Sequence, residues 1–142
     1  MTKYRQISAE EAPGGVPAEL ALKRGDTIIV LDDYSLMRYV WSSKFEDYKT
    51  EIDLQFFTKG QETIDFVKAF AEKDRLFLLC DYELKQRDMN GIDVISLSDM
   101  KDRSIIVSGI YSDPLMQKKA LLLGIEILAK RDIENIKISL EK

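Results

Sequence analysis

Four short apolar runs punctuate this chain, and each ends in a polar residue. Ile28-Ile29-Val30-Leu31 runs into Asp32-Asp33, and Leu76-Phe77-Leu78-Leu79-Cys80 runs into Asp81. Ile105-Ile106-Val107 stops at Ser108, and the mostly apolar Ile125–Ala129 stops at Lys130. The runs are too short for buried helices, and they suit strands covered on both faces. A strand of that kind belongs to a parallel sheet, whose neighbours are joined by helical crossovers. All the terminal polar groups then project from one edge of one sheet. That carboxyl edge is where open α/β sheets bind ligands.

The segments between the runs have the period of helices. Residues 35–46 place Leu36 with Val40 and Met37 with Trp41 at spacing four, and residues 61–72 carry a stripe of Ile64, Val67 and Ala71. Residues 53–58 alternate as a strand, with Leu54 and Phe56 on one face. A polar loop over 81–90 ends at Gly91, and a short helix over 92–99 comes next. Residues 104–108 form the fourth strand. Asp113-Pro114 predicts a helix start, with the aspartate as N-cap and proline at the first helical position. Met116, Ala120 and Leu123 then turn inward, and Gly124 suits the left-handed end of that helix. Residues 125–129 are the fifth strand. A last helix is expected over 132–141, with Ile133, Ile136 and Leu140 buried. Five strands alternating with five helices imply a doubly wound, flavodoxin-like α/β domain with a five-stranded parallel sheet and helices on both faces.

Residues 1–26 hold Pro13, Gly14, Gly15, Pro17 and Gly25 and read as a tail or interdomain linker. The domain proper is then 27–142, and the chain's 142 residues suffice for one domain with a sizeable core. A net charge of -4 with no clustered Lys and Arg argues against direct nucleic-acid binding. The single cysteine, Cys80, allows no internal disulfide and fits a reducing cytoplasm. Its apolar neighbours make it a core residue. Nowhere is there a run of about 18 apolar residues to cross a membrane. Histidine is absent, which removes His-based catalysis and His-ligated metals from these residues.

The strand ends carry chemistry as a set. Asp32, Asp33 and Asp81 bring three negative charges together, against one ammonium from Lys130. The imbalance suits a hard divalent cation, Mg²⁺ or Mn²⁺, bound through oxygen. Without it the carboxylates raise one another's pKa. Asp81, alone at the end of the most buried strand, is the candidate nucleophile, since aspartyl phosphates are a known kind of covalent intermediate. Lys130 and Ser108 are placed to offset charge on phosphoryl oxygens.

The chain from Thr27 to Leu140 resembles the receiver domain of two-component response regulators. The resemblance rests on VLDD at 30–33, LLCD at 78–81, MNGIDVI at 89–95, IIVSG at 105–109 and GIEILAK at 124–130. It implies that Asp32 and Asp33 are the acidic metal-binding pair, Asp81 the phosphoacceptor, Ser108 the hydroxyl position and Lys130 the invariant lysine. The backbone carbonyl of Glu83 would be the remaining protein ligand. The function implied is Mg²⁺-dependent transfer of a phosphoryl group to Asp81 from a phosphohistidine of a partner kinase or histidine phosphotransfer domain. The chain would catalyse its own modification as a signalling module rather than a conventional enzyme. Conformational relay is expected through the face formed by the fourth helix, fifth strand and fifth helix. The overall pattern also resembles the C-terminal receiver of a hybrid sensor kinase.

Some positions depart from the family. Arg131 stands where a proline usually succeeds the lysine, and Ile127 occupies the usual aromatic switch position. Tyr111 lies nearby in sequence, and Lys85-Gln86-Arg87-Asp88 makes the loop after Asp81 long and charged. These departures keep open a receiver-like interaction module that works without phosphorylation. A flavodoxin-type nucleotide or FMN binder shares the topology. It lacks support in Leu31-Asp32-Asp33-Tyr34-Ser35, where a glycine-rich phosphate loop would be needed.

Overall fold

The computed structural model describes residues 19–85 and 89–141. Strand β1 (Glu19–Lys23) comes first, then β2 (Thr27–Leu31), α1 (Ser35–Lys44), β3 (Asp53–Phe57), α2 (Gly60–Ala69) and β4 (Leu76–Asp81). Next come α3 (Gly91–Leu97), β5 (Ser104–Ser108), α4 (Pro114–Leu123), β6 (Glu126–Ala129), a 3-10 helix (Lys130–Asn135) and β7 (Lys137–Glu141). The central sheet has the order β3-β2-β4-β5-β6 with every pairing parallel. This is the expected doubly wound sheet. Its order reverses between β2 and β4, the strands that carry Asp32 and Asp81, and such a reversal opens a crevice at the carboxyl edge.

Residues of β2, β4 and β5 are buried along their whole length, as strands covered on both faces require. Alternate side chains feed two cores. On one face Ile28, Val30, Phe77, Leu79, Ile105 and Val107 meet Met37, Trp41 and Phe45. On the other, Ile29, Leu31, Leu78, Cys80 and Ile106 meet α2, α3 and α4. Helix signals act where expected. Asp113 caps α4 by accepting the Leu115 N–H at 3.2 Å, and Gly124 takes φ 72° at its end. Asn90 and Asp93 form a reciprocal capping box on α3.

Helix α2 ends at Ala69, leaving Ala71 exposed, and Leu123 is 37% exposed rather than inward. The larger difference concerns the first sheet face. No α-helix covers 132–141. The 3-10 helix ends at Asn135, and Lys137–Glu141 pairs in parallel with Glu19–Lys23. Ile138 and Leu140 pack on the core with Leu20 and Leu22, which are fully buried. The spacing of Ile133, Ile136 and Leu140 fits a helix, but Ile138 and Leu140 also alternate as a strand does. A partner strand distant in sequence decides between the two. Where a tail was expected to run to residue 26, β1 is instead part of the core. Asp26, 2% exposed, accepts the Lys23 N–H at 2.8 Å and lies 3.8 Å from Arg103. The rest of the expected tail, 1–18, lies outside the described residues. Among the described residues, no helix is long and apolar enough to cross a membrane.

Leu22→Ala is expected to destabilise the chain by about 2–4 kcal/mol through the cavity it leaves. Chemical denaturation would show this, whereas a residue in an unpacked linker would give no measurable change.

Candidate functional site

Strand register assembles the site. Leu31 pairs with Cys80, so Asp32, the next residue after β2, stands beside Asp81. Ser108 pairs with Ala129, so Lys130 leaves β6 just beyond it. Oxygens of Asp32, Asp33 and Asp81 all lie within 4.8 Å of one another. Lys130 Nζ is 3.3 Å from Asp81 Oδ1 and 3.6 Å from Asp32 Oδ2. The usual proline after this lysine is Arg131 here, yet the ammonium still reaches both carboxylates.

Backbone donors hold the acids in place. Asp32 Oδ1 accepts the Tyr34 N–H at 2.9 Å, and Asp33 Oδ2 accepts the Lys85 N–H at 2.6 Å. Asp81 Oδ1 accepts the Glu83 N–H at 3.3 Å, which brings the Glu83 backbone alongside the cluster. Gly91 opens α3 directly against Asp81, where a Cβ would run into the Asp81 carbonyl oxygen. Beneath the site Cys80 is fully buried, its thiol turned toward the carbonyls of Asp81 and Gly91, and burial pushes its pKa up.

The electrostatics are those of an overfilled acidic site. Burial, then the neighbouring Asp32 charge, raises the Asp81 pKa to about 7, with Lys130 and the Glu83 N–H acting against the rise. Asp32 is also raised, chiefly by burial, although the Tyr34 N–H and Lys130 favour its charged form. Burial works against the Lys130 ammonium, but Asp81 and Asp32 outweigh it and hold its pKa above the ordinary value. One lysine therefore leaves the carboxylates undercompensated. Three clustered carboxylates with excess negative charge are a donor set that fits a small, hard divalent cation.

No protein-family model matches the sequence, and no curated protein matches it. Solved structures match by shape. The receiver domain of a Francisella response regulator is 19% identical with a TM-score of 0.60, covering 78% of this chain and 89% of that one. The receiver domain of an Arabidopsis thaliana histidine kinase, complexed with Mg²⁺ and BeF₃⁻, is 18% identical with a TM-score of 0.58 over 76% and 83% of the two chains. A third, from a sensor histidine kinase of Pseudomonas aeruginosa with Mg²⁺ in its active-site cleft, is 14% identical with a TM-score of 0.59 over 75% and 85%. The chain has the receiver fold.

Within that receiver fold, the strand-end residues singled out in the sequence converge at one edge. Ser108, fully buried, lies at the end of β5 with its hydroxyl 3.0 Å from Glu83 Oε1. Sequence reasoning considered only the carbonyl of Glu83 and missed its carboxylate, because nothing local indicates that a side chain two residues past Asp81 turns back onto β5. It also missed the Lys85 N–H on Asp33, a contact across 52 residues. The relay side differs more. Ile127 is half-buried against the second core, and Tyr111 is half-buried with Asp132, Arg131 and Glu126 close enough to affect its titration. No fifth α-helix exists among the described residues to complete the expected relay face, only the 3-10 helix Lys130–Asn135.

A raised carboxyl pKa stabilises the fold at low pH, and that contribution is lost as pH rises through the folded-state value near 7. In metal-free protein, Asp81→Asn should raise the melting temperature by several degrees at pH 8, by less at pH 5, and hardly at all near pH 3, below the ordinary carboxylate value. Thermal denaturation at the three pH values checks this.

Proposed function

We propose that this chain is a phosphoacceptor signalling module, which receives a phosphoryl group on Asp81 from a partner's phosphohistidine. The observation that carries this reading is the reach of Lys130 to both Asp81 and Asp32 from the far side of β5, with Ser108 between them. A generic acidic patch has no reason to hold a half-buried lysine and a buried hydroxyl in that relation. The Mg²⁺ in the cleft of one structural neighbour, and the Mg²⁺ and BeF₃⁻ bound by another, support the same assignment.

Asp33, Asp81 and the Glu83 carbonyl would hold the divalent ion, with Asp32 in its outer shell. When bound, the ion supplies positive charge to the phosphoryl oxygens and relieves repulsion among the carboxylates. An oxygen of ionised Asp81 attacks phosphorus in line with the phosphorus–nitrogen bond of the donor. That bond breaks, the imidazole leaves with its electron pair, and an acyl phosphate remains on Asp81. Lys130 is already within reach of Asp81 and neutralises one phosphoryl oxygen. The Ser108 hydroxyl donates to another. Aspartate bears the new bond, so the chain is both catalyst and substrate of its own modification. The donor phosphohistidine lies outside these 142 residues, which hold no histidine, and a histidine kinase or phosphotransfer domain would supply it.

A second reading is favoured by one specific observation: β7 stands where a fifth, relaying helix was expected. A receiver-like module that binds its partner without phosphorylation would predict identical partner binding by Asp81→Asn.

With Mg²⁺ and acetyl phosphate, the wild-type chain should gain one phosphoryl group by intact mass, and Asp81→Asn should gain none. Lys130→Ala and Ser108→Ala should each slow the reaction by about tenfold or more. An adduct that persists in Asp81→Asn, or none in wild type, overturns the assignment. Mg²⁺ should also raise the melting temperature, by mass action on the folded state, and Asp33→Asn should remove most of that rise.

A further inference from the structure

Two donors at the edge beside Asp81, the Ser108 hydroxyl and the Gly109 N–H, are already engaged by a carboxylate of this chain. Glu83 Oε1 accepts from the Ser108 hydroxyl at 3.0 Å and from the Gly109 N–H at 3.3 Å. The Ser108 oxygen accepts the Ile110 N–H at 3.0 Å, which turns the hydroxyl proton toward Glu83. Glu83 is anchored at its other end, where its N–H donates to Asp81 Oδ1. Its side chain therefore bridges from the end of β4 to the end of β5, over the place where the incoming oxygens belong. Its charge is also felt by Lys130.

A carboxylate oxygen and a phosphoryl oxygen are alike in charge and in hydrogen-bond demand, so they compete for the same donors. Glu83 is exposed to solvent, so its side chain has room to swing away.

We propose that Glu83 is an internal competitor for the phosphoryl group, its carboxylate occupying Ser108 and Gly109 until an oxygen on Asp81 displaces it. The proposal rests on the phosphoacceptor reading and deepens it. Glu83 then acts as a positioning residue with a restraining role, setting how readily the site accepts and keeps its group. This is separate from any metal-binding role of its backbone carbonyl, which every substitution at 83 leaves in place.

The test uses beryllofluoride as the probe at saturating Mg²⁺, titrated calorimetrically into wild type, Glu83→Ala and Glu83→Gln. Amide spectra of the metal-free proteins and a separate Mg²⁺ titration accompany it. Loss of two charge-assisted bonds should let Glu83→Ala bind beryllofluoride about tenfold more tightly or better. Glu83→Gln keeps an acceptor without the charge and should fall between. The Gly109 amide proton should move upfield in metal-free Glu83→Ala, a change that needs no phosphorylation chemistry. Equal or weaker beryllofluoride binding by Glu83→Ala, or an unmoved Gly109 amide, overturns the proposal. A marked loss of Mg²⁺ affinity in Glu83→Ala overturns it too, because the carboxylate would then serve the metal. If no protein binds beryllofluoride while the Gly109 amide still shifts, the phosphoacceptor reading itself fails, and the proposal falls with it.

Discussion

The Lys130 ammonium, reaching Asp81 and Asp32 from the far side of β5, ties the chemistry of this protein to its sheet. That reach exists only because β2, β4, β5 and β6 run parallel in one register. A one-residue slip of a strand would turn its end residue to the opposite face. It would also expose a strand interior built to be covered on both sides. The hydrophobic core and the polar edge are thus fixed by the same pairing, and the core supplies the free energy that holds mutually repelling carboxylates together. The raised pKa of Asp81 is the visible cost of that arrangement.

The two sheet faces are covered by different means. Three helices cover one face, with Ile64, Val67, Val94, Ile95, Met116 and Ala120 at the contact. The other is covered by α1 and by the small parallel pair of β1 and β7. Two parallel strands alone would not be stable in water. Here Leu20, Leu22, Ile138 and Leu140 seat the pair on the sheet, and Tyr48 donates its hydroxyl to the Ile138 carbonyl. The segment leaving Lys130 therefore runs through a short 3-10 helix into a strand joined to the start of the domain. In a fold usually closed by a helix at this point, the path leading away from the site is built differently. That difference sits where Ile127 and Arg131 depart from the family pattern.

Legibility from sequence tracked the range of the interactions. Strands β2, β4 and β5 were readable because a strand buried on both faces announces itself through composition alone. The start of α4 was readable because Asp113-Pro114 and Gly124 act within one turn. The β1–β7 pair was not, since each strand needs a partner more than a hundred residues away. In isolation, Leu140 completes a helical stripe with Ile133 and Ile136 as readily as it alternates with Ile138. The Glu83 carboxylate was missed for a similar reason: its partners Ser108 and Gly109 come from another strand end.

By itself, the sequence determined the sheet, its parallel sense and the identity of the polar residues at its carboxyl edge. Those depend on local apolar runs and on the polar residue that ends each run. Tertiary structure alone decided how those residues meet. It set which carboxylates share Lys130, turned Glu83 onto the hydroxyl expected to serve a phosphoryl group, and recruited residues 19–23 into the core in place of a final helix. Such outcomes depend on distances between chain segments that share no sequence neighbourhood, and only the packed sheet fixes those distances.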